Sequence, residues 1–186
     1  MKTIDAVNLC LRKIGESPVT SVDEPYPTLA VILPELTAQR QHLLGDGQGW
    51  WFNTQTAVTY SPDVDGRITV PDGVLMFYPD SSDYLYTGAA VVLAPTLDPL
   101  VGVPVTGRAL LDIAFEQLPM AARYAVAYKT AHQVYLNDFG PDNTSQAIEQ
   151  EFAAHYALLS AAHTRQSQAN TRRKAHVARW FHNLRA

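Results

Sequence analysis

This sequence has little cysteine, no long apolar run and no acidic residue near its C-terminus. Its single cysteine, Cys10, excludes an internal disulfide framework and a cysteine-based zinc cluster, so nothing requires an oxidising compartment. No run approaches the roughly 18 apolar residues that a membrane-spanning helix needs, and the first residues lack the pattern of a signal peptide. We therefore expect a protein that is made in the cytoplasm and has no membrane partner.

The charges are divided unevenly along the chain. Residues 1–151 contain all 18 Asp and Glu but only 8 of the 14 Lys and Arg, which gives a net charge of −10. Residues 152–186 contain 6 Lys and Arg and no acid, which gives +6. The sequence thus predicts an acidic body with a basic tail.

Sequence motifs for catalysis or for binding a metal or cofactor are missing. The 6 histidines form neither HExxH nor a pair four residues apart, and Gly45–Gly49 lacks the strand and the GK[ST] helix of a phosphate-binding loop. Asp63–Gly66 resembles the start of a calcium loop but lacks the later bidentate Glu. We predict no catalytic residue, metal or cofactor. An enzyme such as a cell-wall hydrolase, with a carboxylate such as Glu116 as its catalytic group, is the weakest of the three functions that we consider.

Residues 118–162 have the pattern of a helical hairpin. Pro119 suits a first helical turn, Gly140 and Pro141 end the first arm near Phe139, and Asn143 is predicted to cap the second arm. Apolar side chains recur at helical spacing on both arms and need burial: Met120, Tyr124, Tyr128, Ala131, Val134 and Tyr135, then Ile148, Phe152, His155, Leu159 and Ala162.

Two more helices are predicted before residue 50. Thr3 is expected to cap the first, which Gly15 ends, and its apolar positions Ile4, Val7, Leu11 and Ile14 keep helical spacing. The second carries apolar residues from Leu29 to Leu44 and ends at the glycines of 45–49. Pro34 lies inside this stripe, which predicts either a kink or a helix start near it.

Residues 50–116 change to short β-branched and aromatic runs separated by turn pairs, which predicts a small antiparallel sheet. The segment 94–108 is rich in Pro and Gly, and we expect an exposed loop that either moves or packs on a neighbour. The predicted strands are Ala57–Tyr60, Arg67–Val70, Val74–Tyr78, Tyr84–Thr87, Ala90–Leu93, Val103–Thr106 and Leu110–Glu116.

Two groups of residues are candidates for partner contacts. Trp50, Trp51 and Phe52 form either a junction where helix meets sheet or a contact surface. After Ala162 the polar run 165–171 is typical of a flexible arm. The arm ends in basic and apolar residues that favour binding to a partner protein over binding to DNA phosphates, namely Arg172, Arg173, Lys174, Arg179, Trp180, Phe181 and Leu184.

The chain resembles the tail tubular protein A family, the head-to-tail adaptors of T7-like short-tailed phages. The stretches that carry the resemblance are Ile14–Val19, the junction Gly49–Asn53, and Leu118–Gly140 with the helix that follows. They occur in the family's order over most of residues 1–162. The long basic tail and Pro34 depart from the family pattern.

The resemblance implies a structural protein that forms a dodecameric ring beneath the portal, carries the tail nozzle and surrounds the channel through which DNA leaves. For the basic arm, which departs from the family pattern, we ourselves expect the portal or a neighbouring subunit as the partner, and we expect a subunit or the nozzle to contact Trp50, Trp51 and Phe52. DNA would pass without specific binding, because an acidic wall repels the duplex. The main alternative is a DNA-binding accessory protein that uses the basic arm.

The expected fold is α+β: an antiparallel bundle of about four helices with an inserted antiparallel sheet and an extended C-terminal arm. Residues 1–49 and 117–162 are assigned to the bundle, residues 50–116 to the insertion and residues 163–186 to the arm.

Overall fold

The structure, a computed structural model, describes residues 1–47 and 49–172, with side chains described up to Ser167. In these residues the α-helices are α1 (Thr3–Lys13), α2 (Leu29–Gly45), α3 (Met120–Phe139) and α4 (Asn143–Arg172). The strands are β1 (Thr54–Tyr60), β2 (Ile68–Thr69), β3 (Val74–Pro79), β4 (Tyr84–Tyr86), β5 (Ala90–Leu93) and β6 (Val105–Leu111), and a 3₁₀ turn covers Phe115–Gln117. The predicted α+β class is confirmed.

The chain divides into two compact units. The helical unit comprises Met1–Leu36 and the chain from Pro119 onward, and the β unit comprises Thr37–Leu118. The division falls inside α2. The functional regions assigned above, with boundaries at residues 50, 117 and 163, stay a prediction.

The core of the helical unit forms because α3 packs against both α4 and α1. Val7 of α1, Ile32 of α2, Val134 of α3 and Ile148 of α4 are all at most 1% exposed and belong to one apolar cluster. Between α3 and α4, the His155 ring stacks on Tyr124 and Tyr128, with centroid distances of 4.8 and 5.4 Å. The predicted stripes are therefore largely correct. Met120 is the exception, because its side chain is 65% exposed at the start of α3.

Both predicted N-terminal caps are wrong by one residue. In α1 the Asp5 carboxylate accepts a 2.7 Å hydrogen bond from the backbone N–H of Lys2, and Thr3 is already helical. Before α4, the Asp142 carboxylate accepts from the Ser145 N–H at 2.8 Å, and the Ser145 Oγ accepts from the Asp142 N–H at 2.9 Å. This reciprocal pair satisfies backbone donors that the helix itself leaves unpaired.

The polar run 165–171 is helical, which corrects the prediction of a flexible arm there. α4 continues to Arg172 although its last buried side chain among the described ones is Leu159. Gln, Ala and Arg are good helix formers, so the run retains helical propensity without an apolar stripe. The side chains of Thr164 and Arg165 also bond carbonyls four residues back, at 3.0 and 3.2 Å.

The β unit contains two three-stranded antiparallel sheets, with strand orders β1-β6-β3 and β2-β5-β4. Phe77, Val91, Val105 and Ala109 are among the buried residues of its apolar cluster. The two predicted strands Val103–Thr106 and Leu110–Glu116 are wrong, because one strand, β6, runs from Val105 to Leu111. Phe115 lies in the 3₁₀ turn instead.

Gly107 explains why β6 is continuous. A Cβ at this position would collide with the carbonyl oxygen of Tyr78 and lie 2.8 Å from the Phe77 ring, so the neighbouring strand packs where a side chain would stand. From the sequence alone, Gly107 and Arg108 lie between two predicted strands. In the sheet, Gly107 allows close approach of β3.

Candidate interaction surfaces

The aromatic triplet lies between α2 and β1 and divides into a buried and a half-buried part. Trp50 is 7% exposed, and its Nε1–H donates a 2.7 Å hydrogen bond to the Leu43 carbonyl oxygen. Phe52 lies parallel to Trp50 at 6.3 Å and edge-on to Trp51 at 4.9 Å. Trp50 thus forms part of the junction of helix and sheet. Trp51 and Phe52 are half-buried, and their contact with a subunit or nozzle stays a prediction.

Asn53 holds this junction together, and the sequence analysis assigned it no role. It is 1% exposed. Its Oδ1 accepts from the Trp50 N–H at 2.8 Å, and its Nδ2 donates to the carbonyl oxygens of Leu44 and Leu111 at 2.9 and 3.3 Å. One amide therefore satisfies backbone groups from α2, the junction and the end of β6.

The β unit carries an exposed apolar surface, which we call the apolar tip: the turn 63–67 and the loop 94–104. Val64 is fully exposed, and Leu97, Leu100 and Val103 are between 48% and 62% exposed. The loop is anchored to the turn, because the N–H groups of Val101 and Gly102 both donate to the Gly66 carbonyl oxygen, at 2.9 and 3.0 Å. An ordered loop that displays several large apolar side chains is typical of a protein contact.

The helical unit carries an open groove of about 560 Å³, which we call the proline groove. The sequence analysis assigned no role to Glu24–Pro27. The groove walls are mainly apolar and comprise Val22, Pro25, Tyr26, Pro27, Leu33 and Pro34. Because proline fixes φ, much of this wall is rigid before any partner binds.

Two carboxylates lie at the proline groove, Glu24 in its lining and Glu16 near the lining residue Tyr26. Glu24, which lines it, accepts hydrogen bonds from the Thr20 hydroxyl (2.5 Å), the Thr20 N–H (2.7 Å) and the Ser21 N–H (2.8 Å). The Thr20 hydroxyl first, and then these backbone groups, lower the pKa of Glu24, so it is ionised at neutral pH. The pKa of Tyr26 is raised by burial and then by the neighbouring Glu16 carboxylate. The groove therefore combines apolar walls with negative charge.

A smaller recess of about 420 Å³ lies on the sheet that contains β6. The Arg108 guanidinium lies 4.8 Å from the centre of the Tyr78 ring, and Asp80 lines the same recess. Ala57, at a bulge in β1, has φ of 57°, a conformation that non-glycine residues rarely adopt. Because a positive and a negative side chain both line the recess, its charge does not favour one class of ligand.

The basic and apolar residues of the predicted arm are mostly outside the described part of the chain. Arg172 is the final residue of α4, and its side chain is not described. The other predicted partner-binding residues lie outside the described residues, namely Arg173, Lys174, Arg179, Trp180, Phe181 and Leu184. Their role stays a prediction.

Cys10, the one thiol of the chain, lies in the apolar core of the helical unit. Cys10 is fully buried, its Sγ lies 3.7 Å from the Ala127 carbonyl oxygen, and burial raises its pKa to about 12, so the thiol stays neutral. Residues 1–47 and 49–172 contain no cluster of three His, Cys, Asp or Glu side chains suited to a metal. No helix of this part of the chain is both long and apolar enough to span a membrane.

These features define an α+β protein whose distinctive surfaces, the apolar tip and the proline groove, are suited to contacts with other chains. A family model described as tail tubular protein matches residues 4–169. The chain is also 33% identical to tail tubular protein A of Klebsiella phage KP34 over 174 residues, which cover 92% of this chain and 91% of that relative. The chain belongs to the tail tubular protein family and is a structural protein of the phage virion tail.

Proposed function

We propose that this protein is the head-to-tail adaptor of a short-tailed phage: a ring-forming connector between portal and tail nozzle, around the DNA exit channel. The observation that carries the proposal is the family match, which covers residues 4–169 and so includes most of both compact units. A structural tail protein of this size acts by assembly, so its function lies in its contact surfaces.

A closed ring requires two different, complementary surfaces on each subunit, because head-to-tail interfaces join one patch to another. The chain provides distinct candidates on its two units. The apolar tip displays Leu97, Leu100 and Val103, and the proline groove combines Tyr26 and Pro34 with the Glu24 carboxylate. We assign the tip to contact with a neighbouring subunit or the nozzle.

The charge distribution suits a channel for DNA. The net charge of −10 over residues 1–151 repels the duplex and prevents adhesion to the wall during ejection. The net positive charge lies in residues 152–186, which we assign to the portal or to a neighbouring subunit. By family resemblance the ring is a dodecamer.

Native mass spectrometry of the full-length protein, alone and mixed with its portal ring, tests this proposal. The expected result is a stoichiometric complex of several copies with the portal. A monomer without portal is compatible with the proposal, since a closed ring can need a template. A protein that stays monomeric and does not bind the portal contradicts the proposal.

The family match does not favour the alternative of a DNA-binding accessory protein. That alternative predicts retention on DNA that decreases with salt and disappears when residues 163–186 are removed. The adaptor proposal instead predicts that truncation at Thr164 abolishes copurification with the portal and leaves DNA retention unchanged.

A further inference from the structure

We propose that residues 173–186 of one copy dock in the proline groove of a neighbouring copy. This inference rests on the proposed function only in requiring that copies of the chain assemble. It names the occupant of the groove and gives the basic arm a partner within the ring.

The proline groove lies in a part of the chain that has only negative charge. Residues 14–39 contain no Lys or Arg, and their acids Glu16, Asp23, Glu24 and Glu35 give a net charge of −4. Among these, Glu24 lines the groove and Glu35 follows Pro34, another lining residue, in the sequence. An apolar, rigid groove that has one carboxylate in its lining and lies in an acidic part of the chain suits a ligand that is both apolar and basic.

Residues 173–186 have the matching composition. They contain Arg173, Lys174, Arg179 and Arg185 and no acid, which gives +4 against the −4 of residues 14–39. Their apolar residues Val177, Trp180, Phe181 and Leu184 are interleaved with these cations. Trp and Arg are the residue types that most often dominate binding energy at protein interfaces.

The length of α4 favours a second copy over the same chain. Groove residue Leu29 and its neighbour Ile32 share an apolar cluster with Val134 and Ile148, so the groove lies near the end of the hairpin where α4 begins. From Ile148 to Arg172 the helix rises about 36 Å. Trp180 follows Arg172 by 8 residues. Fully extended, these span only about 28 Å, which is less than that rise and favours the groove of a second copy for Trp180.

Cysteine cross-linking of full-length chains tests the proposal. The A30C variant places a thiol at an exposed position of the groove lining, and the A178C variant places one two residues before Trp180 in the sequence. Cys10 can remain, because its side chain is fully buried. The two variants are mixed under assembly conditions, with portal if needed, and oxidised, and the disulfide-linked peptides are mapped by mass spectrometry.

The expected result is a covalent dimer that joins positions 30 and 178 of different chains. An A153C variant replaces A30C as the matched control, since Ala153 is also exposed on a helix, and it should yield several-fold less dimer. In a second measurement, K174E should reduce the 30–178 cross-link and D23K should restore it, whereas D138K should not.

Two outcomes overturn the proposal and separate its failure from that of the adaptor role. If copies assemble but position 178 links to 30 no better than to 153, or links to 30 only within one chain, the groove is not the docking site and the adaptor role stands. In that case residues 173–186 bind the portal or another surface. If no assembly forms with or without portal, both proposals fail.

Discussion

Tyr135 of α3 donates a 2.7 Å hydrogen bond from its hydroxyl to the carboxylate of Asp142, which caps α4. The same carboxylate accepts from the Ser145 N–H. One side chain thus fixes both the start of α4 and its position relative to α3. The Ser145 N–H, and then the Tyr135 hydroxyl, lower the pKa of Asp142 below its ordinary value of 3.8.

Asp142 should stabilise the protein in a pH-dependent manner. A carboxyl group whose pKa is lower in the folded state contributes stability above its unfolded pKa and loses that contribution as the pH falls through the folded pKa. We expect D142N to melt below the unmodified protein at neutral pH. The difference should shrink as the pH falls below 3.8, the ordinary value. Thermal melts followed by circular dichroism measure it.

The D138N variant is the control, because it removes an exposed carboxylate at the end of α3 that has no hydrogen-bond partner in the described residues. A D142N difference that stays constant with pH, or that D138N reproduces, would contradict the assigned role of Asp142.

Gly107→Ala should destabilise the β unit severely. The added Cβ collides with the Tyr78 carbonyl oxygen and the Phe77 ring in a central strand, where the backbone has no room to move. We expect a loss of about 3 kcal/mol or more in the free energy of unfolding. Urea unfolding measures it.

Gly73→Ala is the matched control for this strand substitution. No atom lies within 4 Å of a Cβ at position 73, and its φ is not in the left-handed region. It should be neutral or stabilise by about 0.4–1 kcal/mol, because alanine restricts the unfolded chain. Equal effects of the two substitutions would refute the steric explanation.

Asn53→Ala should cost about 2–3 kcal/mol or more, since it leaves the Trp50 N–H and two carbonyl oxygens without their buried partner. Urea unfolding followed by circular dichroism measures this loss. Asn137→Ala removes an exposed amide and should change stability by less than about 0.5 kcal/mol. If Asn53→Ala left the free energy of unfolding unchanged, the junction would not depend on this amide.

His132 should make stability decrease in mildly acidic solution. Its side chain is 8% exposed, and its Nδ1 has no hydrogen-bond partner in the described residues. Burial and then Lys129 lower its pKa from 6.5, against an opposing effect of Glu149. The unfolded chain therefore binds the proton first, so stability falls as the pH drops below 6.5.

The H132F variant should lose this part of the pH dependence, and H42Q, which changes an exposed histidine, should retain it. Urea midpoints measured from about pH 8 to about pH 5 test the prediction. Identical pH profiles for H132F and the unmodified protein would show that His132 does not titrate differently on folding.

The helices could be predicted because each carries a local signal. Ala131, Val134 and Tyr135 follow helical spacing on α3, Ile148 and Leu159 belong to the stripe of α4, and Gly140, with φ of 75°, ends α3 where the sequence places the stop. The caps were missed by one residue for different reasons: α1 begins at Thr3, so that Lys2 is in the cap position, and before α4 both Asp142 and Asn143 are suitable capping residues. Only the hydrogen bonds of Asp5 and Asp142 show where each helix is capped.

The candidate surfaces could be predicted only in part from the sequence. The aromatic triplet stands out in the sequence, but its division into buried Trp50 and half-buried Trp51 and Phe52 depends on the amide of Asn53. The proline groove has no sequence signature. Pro25 and Pro34 become neighbours in one wall only when the connection folds against α2.

The sequence by itself determined the α+β class, the helices α1 to α4, the separation of acidic body from basic tail, and the exposed loop of the β unit except for its end, since residues 105–108 of the predicted loop belong to β6. These follow from period, turn residues and charge, which act over a few residues or simply add along the chain. The tertiary structure alone decided the continuity of β6 through Gly107, the burial of Trp50 and the existence of the proline groove. Each of these depends on atoms from distant residues meeting at van der Waals or hydrogen-bond distance, which no local pattern specifies.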